Sequence, residues 1–131
     1  MNALDSVALF EQIPQLTKGK LVNTFKISHW KLGEKVVQQD LASDGFYVVA
    51  EGVLSIQVNG NQVHRLSMWG TFGEMALVDT DYTSRATVVV ESRLARLLRL
   101  DRKDFFAVME SFEEDEEEER AMKVSKQVLA S

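Results

Sequence analysis

The stretch Val53–Val63, VLSIQVNGNQV, decides how the middle of this chain folds. Its apolar residues Leu54, Ile56 and Val58 occupy every second position, which is the pattern of a β-strand buried on one face. The Asn-Gly pair at 59–60 separates this run from a second one that begins at once. Both residues of the pair accept the positive φ angles of a two-residue hairpin turn, so the stretch predicts two antiparallel strands.

Runs of the same texture extend in both directions from this hairpin. Short β-like segments, separated by turn residues, fill the chain from residue 24 to residue 100. Seven are predicted: Thr24–Lys31, Lys35–Gln39, Phe46–Ala50, Val53–Val58, Gln62–Ser67, Ala86–Glu91 and Leu94–Leu100. Because these segments are numerous, short and closely spaced, the sequence favours an antiparallel sandwich, roll or barrel.

The two ends of the chain carry helical patterns instead. Residues 3–12 have apolar side chains at roughly helical spacing, Pro14 interrupts this pattern, and a short second helix is predicted around Lys18–Asn23. Near the other end, Asp101 can cap a further helix. The inner stripe of that helix would comprise Phe105, Phe106, Val108, Met109 and Phe112.

Seven consecutive acidic residues, Glu113–Glu119, lead into a final predicted helix. Repulsion between like charges indicates an exposed segment that frays easily. The run accounts for more than the whole net charge of −5. Because a nucleic-acid binder needs a basic face, the run argues against that function. The predicted organisation is a helical segment at 1–23, a β-roll at 24–100 and C-terminal helices at 101–131.

Length and composition restrict the class of protein further. The 131 residues fit one domain, and 45% hydrophobic and 27% charged residues are typical of a soluble globular protein. No stretch reaches the ~18 apolar residues of a membrane helix, and the N-terminus lacks the basic start of a secretory signal. The chain has no cysteine, which agrees with a cytoplasmic location. His29 and His64 lie on different predicted strands, so neither a metal site nor a metal-dependent enzyme is expected.

One loop combines residues that could hold a small ligand: Phe72–Val89, FGEMALVDTDYTSRATVV. Glu74 and Arg85 stand on either side of its polar centre, and this spacing alone favours two solvated charges or a weak surface ion pair. A ligand with a ribose and a cyclic phosphate would use the same residues, because a carboxylate accepts from hydroxyls and a guanidinium grips phosphate through two hydrogen bonds. Gly73 lets the backbone approach the sugar. A helical turn that opens at Met75 would present unpaired N–H groups to the phosphate.

The order of motifs around this loop resembles the cyclic nucleotide-binding domain family, which includes the regulatory subunits of cyclic AMP-dependent protein kinase and the bacterial cyclic AMP receptor proteins. FGEMAL at Phe72–Leu77 and RATV at Arg85–Val88 resemble the family's phosphate-binding cassette, which here spans residues 72–88. Three further segments resemble family motifs in the same order: Leu32–Val37, Asp44–Gly52 and Leu97–Phe105. The resemblance implies a mainly β fold, an antiparallel, jelly-roll-like β-roll of about eight strands with helices at both ends.

The resemblance also implies a role for each cassette residue. Glu74 would accept from the ribose 2′-hydroxyl, and Arg85 would hold the cyclic phosphate. The backbone N–H groups of Ala76 and Ala86 would add phosphate contacts, and Gly73 would line the ribose. The other cassette residues expected at the ligand are Phe72, Met75 and Thr87. In this family a Thr directly after the Arg favours the guanine nucleotide; since that position is Ala86 here, cyclic AMP is expected in preference to cyclic GMP, with no metal or other cofactor.

Departures from the family pattern leave alternatives open. The segment between Glu74 and Arg85 is a couple of residues longer than usual, and Ser84 stands where a proline normally precedes the Arg. An alternative alignment through Ala86 and Thr87 puts Ser84 at the phosphate position and moves Arg85 aside. The alternative function is therefore a degenerate domain that binds no nucleotide and acts as a protein-interaction scaffold.

The family mechanism implies a sensor rather than an enzyme. Phosphate capture would draw the C-terminal helices, from Asp101 onward, over the pocket, with Met122 or Val124 as the side chain that caps the base. Such a movement requires that the ligand bind one state more tightly than the other. No kinase glycine loop, channel span or helix-turn-helix follows the predicted lid, so we expect the output from a further domain or a partner protein.

Overall fold

The computed structural model describes the backbone of residues 7–130, and the side chains of residue 7 and of residues 9–126. Within this range the chain forms two compact units. One is the continuous segment Phe25–Arg102, and the other is built from the segments on either side of it. Among the described residues, no helix is both long enough and apolar enough to cross a bilayer.

The Phe25–Arg102 unit is a β-roll. Its described strands are β1 (Lys26–Lys31), β2 (Lys35–Val37), β3 (Gly45–Glu51), β4 (Leu54–Val58), β5 (Asn61–Leu66), β6 (Thr71–Phe72), β7 (Thr87–Val90) and β8 (Leu94–Asp101). They form two four-stranded sheets, in the orders β1-β8-β3-β6 and β2-β7-β4-β5. Every pairing is antiparallel. The predicted eight-stranded, mainly β fold with flanking helices is therefore confirmed, and each of the seven predicted strands is present within two residues of its expected bounds.

The predicted hairpin joins β4 and β5. Asn59 and Gly60 have φ angles of 52° and 83°, the left-handed conformation that the turn requires. The alternation along β4 is less regular than the sequence predicts, because Ser55 is buried as well as Leu54. The Ser55 hydroxyl donates a hydrogen bond of 2.8 Å to Gln62 Oε1, which satisfies the buried group.

The core of the roll lies between the two sheets. One cluster of buried residues in this core comprises Tyr47, Val49, Leu54, Val88, Val90, Ala95 and Leu97. Val37, Ile56 and Phe72 are only partly buried and pack against this cluster. These three side chains mark the place where the core reaches the surface, and the candidate site lies there.

The second unit is helical. It contains α1 (Gln15–Val22), most of α2 (Arg102–Met109) and α3 (Phe112–Ala130). Pro14 precedes α1 and offers no side-chain cap. Instead, Glu119 Oε1 on α3 accepts a hydrogen bond of 2.7 Å from the Gln15 N–H. A carboxylate at this end of α1 also complements the helix dipole.

The acidic run lies within α3 and is not wholly exposed, so the prediction of an exposed run is wrong for Asp115. That residue is only 4% exposed. Its carboxylate accepts hydrogen bonds from Thr17 Oγ1 at 2.8 Å and from Lys20 Nζ at 2.8 and 3.0 Å. These bonds, Lys20 first and then Thr17, lower the pKa of Asp115. Two carboxylates of the run, those of Asp115 and Glu119, therefore tie α3 to α1.

Two helix predictions need correction. The expected helix at 3–12 is a short 3-10 helix at Ala8–Phe10 in the part that the structure describes, and residues 1–6 lie outside that description. In α2, Phe105 is buried and meets Phe10 edge to face at 6.3 Å, as an inner residue should. Phe106 was predicted on the same stripe but is 45% exposed, because it follows Phe105 directly and so points to another side of the helix.

Candidate functional site

The cassette begins with a sharp backbone turn at Gly73. This residue follows β6 and has a φ angle of 87°, a conformation that residues with a Cβ rarely adopt. A Cβ at this position would also lie 2.7 Å from the Gly45 carbonyl oxygen. Gly73 therefore meets two independent requirements. The turn leads, beside the start of β3, into residues Glu74–Leu77, which we call the cassette helix.

A 3-10 helix, Glu74–Leu77, follows the turn and fulfils the expectation of a short helical turn. Ala76 and Leu77 are fully buried, whereas Met75 is about half exposed. The Ala76 N–H donates to the Gly73 carbonyl at 3.0 Å. It is therefore not the unpaired donor that the sequence suggested, and a phosphate contact would have to replace this hydrogen bond.

A cavity of about 80 Å³ opens beside this turn, between the two sheets. Val37, Ile56 and Val88 form apolar walls from β2, β4 and β7. The other lining residues are Ser43, Gly45, Phe72, Gly73, Tyr82, Ser84 and Ala86. The cassette has two arms, Phe72–Leu77 before its polar loop and Ser84–Val88 after it. Both arms contribute residues to this one cavity, which has an apolar interior and a polar rim.

Three of the eight predicted site residues, Phe72, Gly73 and Ala86, line this cavity. The other five do not line it: Glu74, Met75, Ala76, Arg85 and Thr87. Thr87 has a structural bond instead, because its Oγ1 accepts from the Gln39 N–H at 3.0 Å. The ligand contacts predicted for these residues remain predictions.

The two residues that competed for the phosphate position point in different directions. Ser84 is 6% exposed and lines the cavity. Its hydroxyl donates to the Ala86 carbonyl at 2.6 Å and accepts weakly from the Ala86 N–H at 3.4 Å. Arg85 is exposed. No ion pair or hydrogen bond in the described part of the chain holds its guanidinium, so this orientation agrees with the alternative alignment while leaving Arg85 free to turn.

Glu74 stands at the first position of the 3-10 helix and is half-buried. No group in the described part of the chain donates to its carboxylate. An acceptor without a donor, directly after a glycine that lines the cavity, is suited to a ligand hydroxyl. Glu74 is therefore the neighbour in sequence of a residue that lines the cavity, and its carboxylate has no hydrogen-bond donor among the described residues.

Arg102 holds the cassette in place, and sequence reasoning did not identify it. Its Nε donates to the Ala76 carbonyl at 2.6 Å, and its Nη2 donates to the carbonyls of Asp79 and Ser43 at 2.9 and 3.1 Å. A cation at the carboxyl end of the 3-10 helix satisfies carbonyls that the helix leaves open. Because its partners are all backbone atoms, no pattern of side chains could have revealed this role.

A second network, in which Arg99 holds Tyr47, packs against the Phe72 ring. The Phe72 ring stacks on Tyr47 with centroids 4.8 Å apart and planes 11° apart. Arg99 donates to the Tyr47 hydroxyl and, at 2.5 Å each, to Asp101 and Asp44. Burial raises the pKa of Tyr47, and the hydrogen bond from Arg99 lowers the pKa of Asp101. Burial is the largest single effect on Arg99 and disfavours its charged form, but the hydrogen bond to Asp101 and the charges of Tyr47, Asp101 and Asp44 together outweigh burial and raise the Arg99 pKa.

The remaining sequence candidates lie on helix α3 and on strands β1 and β5. Met122 and Val124, the predicted capping side chains, are exposed on α3. His29 and His64 are on β1 and β5, in different sheets. No group of three or more metal-ligating side chains was found among the residues whose placement is described.

Known proteins share this architecture. A regulatory subunit of a cAMP-independent protein kinase A from Trypanosoma cruzi, bound to guanosine, superposes with a TM-score of 0.71 at 20% identity, over 83% of this chain and 39% of that one. A cyclic nucleotide-binding-like protein from Brucella abortus gives 0.71 at 21% identity, over 82% of this chain and 95% of that one. At such identities these similarities support the fold alone.

Sequence comparison identifies relatives directly. The cAMP-dependent protein kinase regulatory subunit of Debaryomyces hansenii is 27% identical over 108 residues, which are 82% of this chain and 24% of that protein. The cGMP-dependent protein kinase of Plasmodium berghei is 28% identical over 88 residues, or 67% of this chain and 10% of that protein. The chain thus spans a quarter or less of these relatives. The sequence profile described as "Cyclic nucleotide-binding domain" matches residues 27–112, and the chain belongs to this family of regulatory domains.

Proposed function

We propose that this domain binds cyclic AMP, in preference to cyclic GMP, at the cavity between the cassette and the walls of β2, β4 and β7. Glu74 accepts from the ribose and Arg85 holds the phosphate, while the apolar walls receive the base. The observation that carries the proposal is that residues from both arms of the cassette, Gly73 and Ala86, line one cavity. Binding occurs without turnover of the nucleotide.

Arg85 must turn inward for this function, and the energies favour that movement. The side chain breaks no ion pair or hydrogen bond of the described residues when it moves. Ordering it costs up to about 2 kcal/mol of side-chain entropy. One charged hydrogen bond contributes about 1.5–3 kcal/mol, and a guanidinium can make two to a single phosphate. The gain therefore exceeds the cost if both bonds form.

The preference for cyclic AMP and the coupling to the helices have separate supports. Ala86 offers no hydroxyl at the position where the family uses Thr for the guanine nucleotide. For the coupling, Arg102 binds the carbonyls of Ala76 and Asp79 and is also the first residue of α2. A ligand that shifts the cassette helix thus acts on the residue that begins the C-terminal helices. The output belongs to a further domain or a partner protein, which the kinase relatives illustrate.

Titration calorimetry with cyclic AMP and cyclic GMP tests the proposal. We expect saturable binding that is stronger for cyclic AMP, and a loss of at least about tenfold in Arg85→Ala, since ~1.4 kcal/mol corresponds to tenfold. Arg93→Ala is the matched control, because Arg93 is also exposed on the roll. Equal affinity in Arg85→Ala and Arg93→Ala would contradict the role of Arg85.

A second candidate ligand is a nucleoside without phosphate. No cation lines the cavity among the residues described, and the inward-facing group at the disputed position is the neutral Ser84. The Trypanosoma cruzi relative, bound to guanosine, is a precedent within the fold. Saturable binding of guanosine or adenosine that Arg85→Ala leaves unchanged would favour this candidate. Absence of binding heat for every nucleotide and nucleoside at millimolar concentration would favour the scaffold.

A further inference from the structure

Tyr82 separates two volumes on the surface of the roll. It lines the cavity of about 80 Å³ between the sheets. It also lines an open depression of about 370 Å³, whose other residues are Ala42, Ser43, Asp44, Thr80 and Arg102. Ser43 is the only other residue that the two linings share. Tyr82 therefore lies at the boundary between the interior cavity and the open depression.

The backbone around Tyr82 is held on both sides. Its N–H donates to the Asp79 carbonyl at 3.2 Å, and its carbonyl accepts from the Ser43 N–H at 3.3 Å. The next residue, Thr83, forms a β-bridge with Ala42. The tyrosine hydroxyl, in contrast, has no hydrogen-bond partner in the described part of the chain. Rotation of the side chain is consequently easier than displacement of the loop.

The sizes of the two volumes indicate what such a rotation does. Ligand pockets for small molecules usually measure about 300–1,000 Å³. The interior cavity alone is far below this range, and the depression alone lacks the apolar walls of Val37, Ile56 and Val88. Joined, the two volumes fall within the range and combine apolar walls with a polar mouth.

We propose that Tyr82 is a gate between these volumes, whose side chain must rotate before a purine ring can enter the interior. This inference rests on the proposed function for its ligand, but the gate itself is a property of the cavity. Tyr82 lies in the segment between Glu74 and Arg85, which is longer than usual in the family. The gate thus gives a physical role to the departure that the sequence displays. If only the open state admits the ligand, the apparent affinity equals the intrinsic affinity multiplied by the fraction of time that the gate is open.

The first experiment does not depend on nucleotide binding. Indole, whose bicyclic ring is about the size of a purine, is titrated while NMR follows the methyl groups of Val37, Ile56 and Val88. We expect saturable shifts at these methyls in Tyr82→Ala and little response in the wild type or in Tyr82→Phe, which keeps the ring. Thr80→Ala is the matched control, since Thr80 lines the depression only. Tyr82→Leu, which removes the ring but keeps apolar volume, replaces Tyr82→Ala if that variant does not fold.

An equal response of all variants to indole, or no response of the opened variant, would overturn the gate. The second experiment measures the association rate of cyclic AMP by stopped flow. We expect the rate to rise at least about threefold in Tyr82→Ala and to stay unchanged in Thr80→Ala and Tyr82→Phe. An unchanged or lower rate in Tyr82→Ala overturns the gate for this ligand. If no variant binds any nucleotide or nucleoside while the indole shifts occur as expected, the proposed function fails and the gate stands.

Discussion

Replacing Gly73 with alanine tests whether the cassette turn is fixed by two separate physical constraints. The first is the φ angle of 87°, which costs a residue with a Cβ about 1–2 kcal/mol. The second is the predicted contact of 2.7 Å between that Cβ and the Gly45 carbonyl oxygen. That oxygen belongs to the backbone of β3, so it cannot yield as the end of a flexible side chain can.

The magnitude follows from adding the second constraint to the first. Forcing an extra carbon into a packed site costs about 1–3 kcal/mol, so Gly73→Ala should lower the free energy of unfolding by about 2–5 kcal/mol. Gly33 isolates the first constraint, because its φ angle is 85° and a Cβ there would have nothing within 4 Å. We expect Gly33→Ala to cost only the strain of about 1–2 kcal/mol.

Urea denaturation of the wild type and the two variants measures the difference. The linear dependence on denaturant gives the free energy of unfolding for each protein. We expect the free energy of unfolding to be largest for the wild type, smaller for Gly33→Ala and smallest for Gly73→Ala. If the two substitutions lower the free energy of unfolding equally, the close approach of residue 73 to the Gly45 carbonyl does not contribute to the cost, and the second constraint on the turn is refuted.

Two further predictions concern the contacts that hold the cassette and the helices. Arg102→Ala should lower the free energy of unfolding by on the order of 2 kcal/mol, because the carbonyls of Ala76 and Asp79 lose a charged donor. Arg102→Lys should recover only part of this stability, because an ammonium lacks the fork of the guanidinium. Full recovery of the stability in urea denaturation would contradict the role of the forked geometry. The pKa of Asp115 lies below its ordinary value of 3.8, so its ionised form stabilises the helical unit fully above pH 3.8. This stabilisation is lost as the pH falls through the lowered pKa. Asp115→Asn should therefore be less stable than the wild type at pH 7 and show a flatter loss of stability towards acid, whereas parallel pH profiles would refute the role of the Lys20 contact.

The fold could be predicted from the sequence because its signals are local. Alternation along β4 and the Asn59-Gly60 turn specify a hairpin without reference to distant residues. The strand that was not predicted, β6, has only two residues, Thr71–Phe72, and so offers no alternation to detect. Asp115 was placed in solvent because its burial depends on Thr17 and Lys20, which are 98 and 95 residues away along the chain.

The site was less predictable because it depends on side-chain directions within an irregular loop. Gly73 and Ala86 could be assigned to the cavity from the cassette motif, since motif spacing fixes the backbone. The orientations of Ser84 and Arg85 could not, because residues 85 and 86 form a bend and obey neither strand nor helix periodicity. Tyr82 and Arg102 were missed for a similar reason: one is placed by the longer loop, and the other binds only backbone carbonyls.

NMR titration of the ¹⁵N-labelled domain with cyclic AMP tests most directly whether this cavity is the nucleotide site. Amide shifts report where a ligand lies, which calorimetry does not. We expect saturable shifts centred on the amides of Gly73 and Ala86, with responses that spread through Ala76 to Arg102. Shifts centred on any other part of the chain, or no shifts at millimolar cyclic AMP, would contradict the assignment of this cavity as the nucleotide site.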